Sequence, residues 1–433
     1  MPDHATSTSA AVQAQLDRLT ALSPGRDVLG LERIGELCRR LGHPERRLPP
    51  VFHVAGTNGK GSTCAVLGAA MEAAGLTAHV YASPHLVRFN ERIRLAGTLI
   101  DDTRLADLLA HVLDHSDGIG PSFFEATTAA AFLAFAQTPA DACIVEVGLG
   151  GRLDATNVIV DPAACGIASL GIDHEAFLGP DIVGIAREKA GIAKRDRPLI
   201  TLGYRPPLAA AVAEVAAAAG APLFMAGRDW DWRAGADGIA IDVPGRSIRA
   251  RTPALAGPHQ AVNAALALAM IAAQDRVVLP ENSLAEAPAR ARWPARLQRL
   301  RPGPLTAPLG AATVLLDGGH NLLAAEMLAR HFADRPDDAP RTIVLGMLAN
   351  KDAAGFIAAL AAPGRTLIAV PTPGHEHHSP ADLARLAREA GMAGRTAPDL
   401  RSAIAAAAPG PLLITGSLYL AGEVLRLNDQ LPD

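Results

Sequence analysis

Two periods of apolar and polar residues run along this chain, and the places where one gives way to the other mark its elements. Ala11 to Leu22 and Leu29 to Leu41 carry apolar residues at helical spacing, and the Pro49–Pro50 pair stops that pattern. Short continuous apolar runs follow. Pro50 to Val54, Ala142 to Val147, Ala163 to Ser169 and Pro198 to Leu202 read as buried strands, with helical or loop segments between them. This βα alternation predicts a mostly parallel sheet covered by helices on both faces, with ligands gathered at the carboxyl ends of its strands. Between Ala221 and Thr252 two tryptophans, several glycines and alternating polarity predict an antiparallel excursion, after which Gly257 to Ala273 returns to helix.

A second block begins after Arg301–Pro308, RPGPLTAP, where three prolines and a glycine interrupt the helical pattern. Strands are predicted at Ala312–Leu316, Thr342–Leu345, Thr366–Val370 and Leu412–Thr415, with helices at Leu322–Phe332, Ala353–Ala361, Pro380–Gly391 and Leu418–Leu427. The expected organisation is an α/β protein with two domains: residues 1–300, a P-loop-type ATPase domain on a mostly parallel sheet, and residues 309–433, a smaller Rossmann-like domain, joined near 301–308. No GxGxxG follows the first strand of the second block, so no dinucleotide is assigned to it.

Composition narrows the function classes. With 433 residues, 49% of them hydrophobic, the chain is long enough for two or three cores. The formal net charge of −4 supplies no basic field for nucleic acid, which leaves small molecules as the expected partners. The hydrophobic content reflects alanine-rich helices rather than a membrane span. The opening MPDHATSTSAAVQAQL has no basic segment followed by an apolar one, so a cytoplasmic protein is expected. Cys38, Cys64, Cys143 and Cys165 form no CxxC pair and read as reduced core residues.

Chemistry enters through lysine. Of 40 lysines and arginines only Lys60, Lys189, Lys194 and Lys351 are lysine. Arginine replaces lysine on a solvated face, but not where a compact charge or an amine able to lose its proton is required. Lys60 lies in HVAGTNGKGST, His53 to Thr63, which reads as strand, glycine turn and helix. Such a turn aims backbone N–H groups and a helix N-terminus at one point, and Ser62 or Thr63 adds a hydroxyl for Mg²⁺. The expected ligand is a nucleoside triphosphate. The match to the P-loop pattern is imperfect, because Val54 stands where glycine is usual and Gly61 separates the lysine from Ser62. On the turn alone, a chance glycine loop remains the alternative. Gly148–Gly151 and Asp173–His174 also fall at predicted strand ends, so the functional loops are expected to converge.

Taken together, GTNGKGS at Gly56–Ser62, SPHLVRFNERI at Ser83–Ile93, FFEATTAAAF at Phe123–Phe132, EVGLGGRLDATN at Glu146–Asn157, DH at Asp173–His174, REKAGI at Arg187–Ile192, GPHQAVNAALA at Gly257–Ala267 and DGGHN at Asp317–Asn321 resemble the folylpolyglutamate and dihydrofolate synthases of the Mur ligase superfamily. The resemblance spans most of the chain. It implies an enzyme that uses ATP and Mg²⁺, two ions, to phosphorylate a substrate carboxylate, giving an acyl phosphate that the amine of L-glutamate attacks. It implies nucleotide contacts from Asn58, Gly59, Lys60, Gly61, Ser62 and Thr63, metal ligands at Ser83, Glu146 and His174, and adenine and ribose contacts from Asn263, Arg296 and Asp317. Arg296 follows Ala295 where relatives usually have glycine, and Gly319 stands where they usually have alanine. His320 and Asn321 are expected to hold the acyl phosphate or the incoming glutamate, with core packing the alternative for His320.

The resemblance also implies that Lys189 is carbamylated by CO₂, turning a cation into an anion that supports the second Mg²⁺. That reaction needs a neutral amine, which burial can provide. The alternative is a lysine paired with Glu188 or Asp196 on a solvated helix, and Lys194 is the rival carbamate site. For Glu146 the alternative is a salt bridge at a strand end. Leu29, Gly30, Leu31 and Glu32, then Phe123 and Phe124, then Leu153, Asp154 and Ala155 match segments that hold the pterin of dihydropteroate in bifunctional members. The implied acceptors are dihydropteroate and tetrahydrofolate, on a chain expected to act as a monomer. Polyglutamylation alone, or a non-catalytic nucleotide switch, are the competing functions. Lys351 in GMLANKD suits either glutamate or nucleotide, and His375–His378 reads as a surface loop before the Ser379–Pro380 helix start.

Overall fold

Strand β1 (Val51–Ala55) is buried along its whole length, and this places it inside a sheet rather than at an edge. The computed structural model describes residues 5–22 and 29–433. In the first sheet β1 is joined by β2 (Ala78–Tyr81), β3 (Ile93–Leu95), β4 (Thr98–Leu99), β5 (Ala142–Glu146), β6 (Ala164–Ile167), β7 (Leu199–Thr201) and β8 (Leu223–Met225). Their order is β4-β3-β2-β5-β1-β6-β7-β8, parallel from β2 to β8, with β3 and β4 antiparallel at one edge. Those two edge strands escape the apolar-run reading because they are only three and two residues long and Arg94 sits in the middle of β3.

The helices of this part are α1 (Ala10–Leu22), α2 (Glu32–Arg40), α3 (Lys60–Ala73), α4 (Asp102–Asp114), α5 (Phe123–Ala136), α6 (Glu175–Leu178), α7 (Ile182–Ala190), α8 (Pro206–Ala219), α9 (His259–Ala272) and α10 (Glu281–Arg290). One core joins α1, α2, α4 and α5 to the strands through Leu16, Ile34, Leu109 and Phe132. Helix α5 is apolar on all sides because it is buried on all sides, and a Ser122–Glu125 capping box satisfies its first amides. A second core seats α7 and α8 against Ala55, Ile167 and Leu199. The predicted antiparallel excursion is a three-stranded sheet, β9 (Asp231–Gly235), β10 (Gly238–Val243) and β11 (Arg246–Ala250).

The remaining sheet contains β12 (Gln298–Arg299), β13 (Val314–Leu316), β14 (Thr342–Leu345), β15 (Thr366–Ala369), β16 (Ala393–Thr396) and β17 (Leu412–Thr415), in the order β12-β13-β17-β14-β15-β16. All but β12 run parallel. Helices α11 (Leu322–Asp334), α12 (Ala353–Leu360), α13 (Pro380–Glu389), α14 (Leu400–Ala405) and α15 (Leu418–Leu427) alternate with them. The chain divides into two compact units, Met1–Ala254 with Gln260–Arg292, and Leu255–His259 with Trp293–Asp433.

The segment expected as the junction, 301–308, lies within the second of these units. The proline segment belongs to the second unit because β12 pairs with β13, and because the Asn428 side-chain oxygen accepts the amides of Leu305 and Thr306, each at 3.1 Å. Prolines here end a pattern without ending a domain.

Candidate active site at the carboxyl edge of the first sheet

The turn after β1 is fixed from several sides. Thr57 N–H donates to the Ser169 carbonyl at 2.7 Å, the Thr57 hydroxyl donates to the Gly171 carbonyl at 2.8 Å, and the Ser169 hydroxyl donates to the Asn58 carbonyl at 2.9 Å. These bonds tie the loop after β1 to the loop after β6. Gly59 has φ of +89° and lies against the Asn263 side chain, so a β-carbon there would be strained and would also collide with Asn263. Lys60 opens α3, with Ser62 and Thr63 buried in its first turn. The Thr63 hydroxyl donates to the Gly59 carbonyl at 2.9 Å, closing the turn. The strand, glycine turn and helix of the sequence reading are therefore present, starting at Lys60 rather than Ser62.

Glu146 ends β5 in the neighbouring position, buried, with a carboxylate oxygen 3.8 Å from the Lys60 amine. That spacing is electrostatic pairing rather than a hydrogen bond. The following loop curls back over the end of α7. Gly151 lies directly on the backbone of Glu188 and Lys189, Arg152 N–H donates to the Glu188 carbonyl at 2.8 Å, and Asn157 donates to the carbonyls of Arg152 at 2.9 Å and Gly191 at 3.1 Å. Under this clasp the Lys189 amine donates to the Gly56 carbonyl at 3.1 Å. Lys189 is 4% exposed, and burial with the nearby Lys60 charge lowers its pKa from 10.5 to about 7, against the opposing pull of Asp173 and Asp154.

The solvated-helix alternative for Lys189 is thereby overturned, since Glu188 pairs with Arg152 at 2.8 Å and the lysine points inward. The rival Lys194 faces elsewhere. Its amine donates to the Asn157 carbonyl at 3.0 Å, and burial lowers its pKa.

Ser83 is half-buried just beyond β2, and His174 is exposed with φ of +55°, its amide donating to the Asp173 carboxylate at 2.8 Å. The donors along this edge are chiefly oxygens, from Ser62, Ser83 and Glu146, and suit a hard cation. Among the described residues no three His, Cys, Asp or Glu side chains gather into a metal cluster.

The three segments matched to a pterin site take different positions. Leu29 and Gly30 are half-buried ahead of α2, Leu31 packs on the first core, and Glu32 is exposed at the helix start. Phe123 is buried edge-on to Phe89 with centroids 5.9 Å apart, and Phe124 stands 6.0 Å from Tyr81 and against Gly148, where a β-carbon would strike its ring. Leu153 is half-buried and Ala155 buried. Asp154 is held from within the loop. It is 2% exposed, and its carboxylate accepts the amides of Leu149 at 2.8 Å and Thr156 at 2.9 Å together with the Thr156 hydroxyl. Those donors favour the anion while burial raises its pKa. The sequence reading gave Thr57 no role, although its hydroxyl inside the glycine motif was the available signal.

The second unit holds the remaining candidates. One Asp317 oxygen accepts the Leu297 amide at 2.9 Å and the other the Gly319 amide at 2.7 Å, so this carboxylate shapes the DGGHN turn. Arg296 donates to the Ala295 carbonyl at 3.0 Å, between two residues in the left-handed region, Ala295 at φ +55° and Leu297 at φ +44°. His320 Nδ1 is 2.9 Å from the Gly318 carbonyl, and the Asn321 side chain accepts the Ala324 amide at 3.0 Å as the N-cap of α11. His320 is half-buried, which sets aside the core-packing alternative. His378 Nε2 lies 2.8 Å from the Lys351 carbonyl, and the 375–378 segment lies at the surface with Glu376 exposed and its histidines half-buried.

Residues 307–427 match the family described as dihydrofolate synthetase, C-terminal domain. The dihydrofolate synthase/folylpolyglutamate synthase of Escherichia coli is 38% identical over 331 residues, 76% of this chain and 74% of that protein. The solved E. coli FolC in complex with DHPP and ADP superposes with a TM-score of 0.86 at 33% identity, covering 98% of this chain and 99% of that one. A bifunctional folylpolyglutamate synthase/dihydrofolate synthase with Mn, AMPPNP and L-glutamate bound gives 0.83 at 31% identity, covering 97% and 99%. With its glycine turn, acidic strand end and buried lysine at one sheet edge, and with this extent of similarity, the chain belongs to the dihydrofolate synthase/folylpolyglutamate synthase family of ATP-dependent ligases, built on a Mur ligase-like fold.

Proposed function

We propose that this protein joins L-glutamate to dihydropteroate, forming dihydrofolate, and to the γ-carboxyl of tetrahydrofolates, forming folylpolyglutamates, at the expense of ATP. The reaction has two steps. An acceptor carboxylate oxygen attacks the γ-phosphorus and ADP leaves, giving an acyl phosphate; the glutamate amine then attacks the acyl carbon, phosphate leaves, and an amide remains. The difficulty is bringing a carboxylate to a polyanion, so fixed positive charge and oriented amides are the main requirement.

The N–H groups of the 58–63 turn would face the phosphates, with Lys60 as the fixed cation. Ser83, Glu146 and His174, with Ser62, would hold Mg²⁺. When bound, that ion neutralises phosphate charge and orients the transferred group. Lys189, with its amine drawn towards neutrality, would take up CO₂, lose a proton and become a carbamate able to support the second cation. Asn263, Arg296 and Asp317 are assigned to the nucleoside, and His320 to the acyl phosphate or the incoming glutamate. Leu29–Glu32, Phe123, Phe124, Leu153, Asp154 and Ala155 are assigned to the pterin, and a cytoplasmic monomer is the form proposed. Among the described residues no helix is long and apolar enough to cross a membrane.

The observation that carries this reading is the seating of the Lys189 amine on the turn after β1, 3.1 Å from the Gly56 carbonyl, beside Lys60 and Glu146. The experiment is ADP release with Mg-ATP and glutamate, comparing the two acceptors. Turnover with both supports two activities; turnover with tetrahydrofolate alone reduces the function to polyglutamylation; nucleotide binding without glutamate-dependent ADP release supports the switch.

A further inference from the structure

Gly171 lies beyond the end of β6, where its buried amide and carbonyl have left the sheet ladder and need partners from elsewhere. One side chain serves both. The buried Thr57 hydroxyl accepts the Gly171 N–H at 3.0 Å and donates its single proton to the Gly171 carbonyl at 2.8 Å. Two further bonds run beside this exchange, from the Thr57 amide to the Ser169 carbonyl at 2.7 Å and from the Ser169 hydroxyl to the Asn58 carbonyl at 2.9 Å. The base of the loop is held separately. The Tyr204 hydroxyl lies 2.7 Å from the carbonyls of Ile167 and Ala168, and Ala168 lies against Gly56. Past Gly171 the chain comes to the surface, with Ile172 and His174 exposed, so Gly171 is the last buried residue before the Asp173–His174 pair.

We propose that Thr57 is a positioning residue for metal binding: its hydroxyl fixes the loop after β6 to the nucleotide turn, so that His174 is presented to the cation from a set place beside the phosphate cradle. The connection is short. Thr57 directly precedes the 58–63 turn, and Gly171 stands just ahead of the Asp173–His174 pair. One hydroxyl thus joins the segment assigned to the phosphates to the segment that supplies a metal ligand. The Lys60 amine, 3.4 Å from the Thr57 carbonyl, meets the same residue. The bond from the Thr57 amide to Ser169 does not need the hydroxyl, so the side chain governs the 171–174 segment while the turn keeps its own shape. Without the hydroxyl, two buried backbone groups lose their partner, and the loop must shift to bring them to water.

This inference rests on the ligase reading and on His174 as a metal ligand. The test compares Thr57→Val, which keeps the shape and removes the hydroxyl, with Thr57→Ser, which keeps the hydroxyl. Thr57→Cys, a weak donor, takes the place of Thr57→Val if that variant does not fold. Thr57→Val should raise the Mg²⁺ concentration for half-maximal turnover roughly tenfold or more, while Thr57→Ser stays near wild type. His174→Ala should raise it too, and adding Thr57→Val to His174→Ala should raise it little further. Two readouts need no turnover. By calorimetry, Thr57→Val should bind a non-hydrolysable ATP analogue as tightly as wild type in EDTA and roughly tenfold more weakly with Mg²⁺. Hydrogen exchange of the free protein should be faster at 170–175 in Thr57→Val and unchanged at 60–66. An unchanged Mg²⁺ dependence overturns the proposal, and so does equal weakening with and without Mg²⁺, which makes Thr57 part of the phosphate cradle itself. Full additivity with His174→Ala also overturns it, because the effect then does not pass through that histidine. If the wild type turns over neither acceptor, the ligase reading fails, and analogue binding with exchange decides whether Thr57 positions the loop.

Discussion

The Lys189 amine donates a 3.1 Å hydrogen bond to the carbonyl oxygen of Gly56, 133 residues earlier in the chain, across the edge where the nucleotide turn begins. An amine in this place is a poor surface cation and a good site for reaction with CO₂, because burial disfavours its protonated form. Lys189→Ala should be nearly inactive and partly restored by short carboxylates. No restoration, together with no ¹³C carbamate signal from wild type under ¹³CO₂, sinks the carbamate assignment.

The same burial fixes a pH dependence. The folded-state pKa is about 7 and the ordinary lysine value 10.5. The unfolded chain therefore binds more protons between these values, and Lys189 penalises folding most below about 7, with the penalty fading as pH rises towards 10.5. In CO₂-free buffer, the stability difference between wild type and Lys189→Met should favour the variant at low pH and shrink above neutrality. A difference that is flat with pH contradicts a buried, depressed amine.

Gly59 allows a sharper substitution. Ala at this φ costs roughly 1–2 kcal/mol in backbone strain, and its β-carbon has no room beside Asn263. Gly59→Ala should weaken ATP binding by at least about tenfold, read by calorimetry. If Asn263→Ala in the same chain restores part of the affinity, the clash with Asn263 is confirmed as a component of the loss.

Glu146 is expected to act through charge. Glu146→Gln keeps the shape near Lys60 but removes the anion, and should raise the Mg²⁺ concentration needed for half-maximal turnover by about tenfold or more. An unchanged Mg²⁺ requirement would make Glu146 only the structural partner of Lys60.

In the second unit the left-handed pair around Arg296 separates two effects. Ala295→Gly relieves a strained φ and loses one buried methyl, for a net gain of about 1 kcal/mol. Leu297→Gly relieves the same kind of strain but empties a buried side chain, and should cost roughly 2 kcal/mol or more. Urea unfolding of the two variants checks the opposite signs.

The sequence alone determined which segments are strands wherever the run was mainly apolar, as in β1 and β5, because full burial on both faces leaves a largely hydrophobic record. It also determined the glycine turn, since positive φ and close approach exclude other residues at Gly59. Tertiary structure decided what local pattern does not encode. Polar edge strands such as β16 form because β15 offers a partner, not because their residues demand it. The proline segment at 301–308 joined the second unit through Asn428, more than a hundred residues away. Asp154 turned inward because the amides of Leu149 and Thr156 and the Thr156 hydroxyl meet its carboxylate, and the Lys189 amine is drawn towards neutrality only where the loop after β5 closes over it. Residue type records what a position can tolerate, while a shifted pKa or an enclosed charge depends on neighbours that only the folded chain assembles.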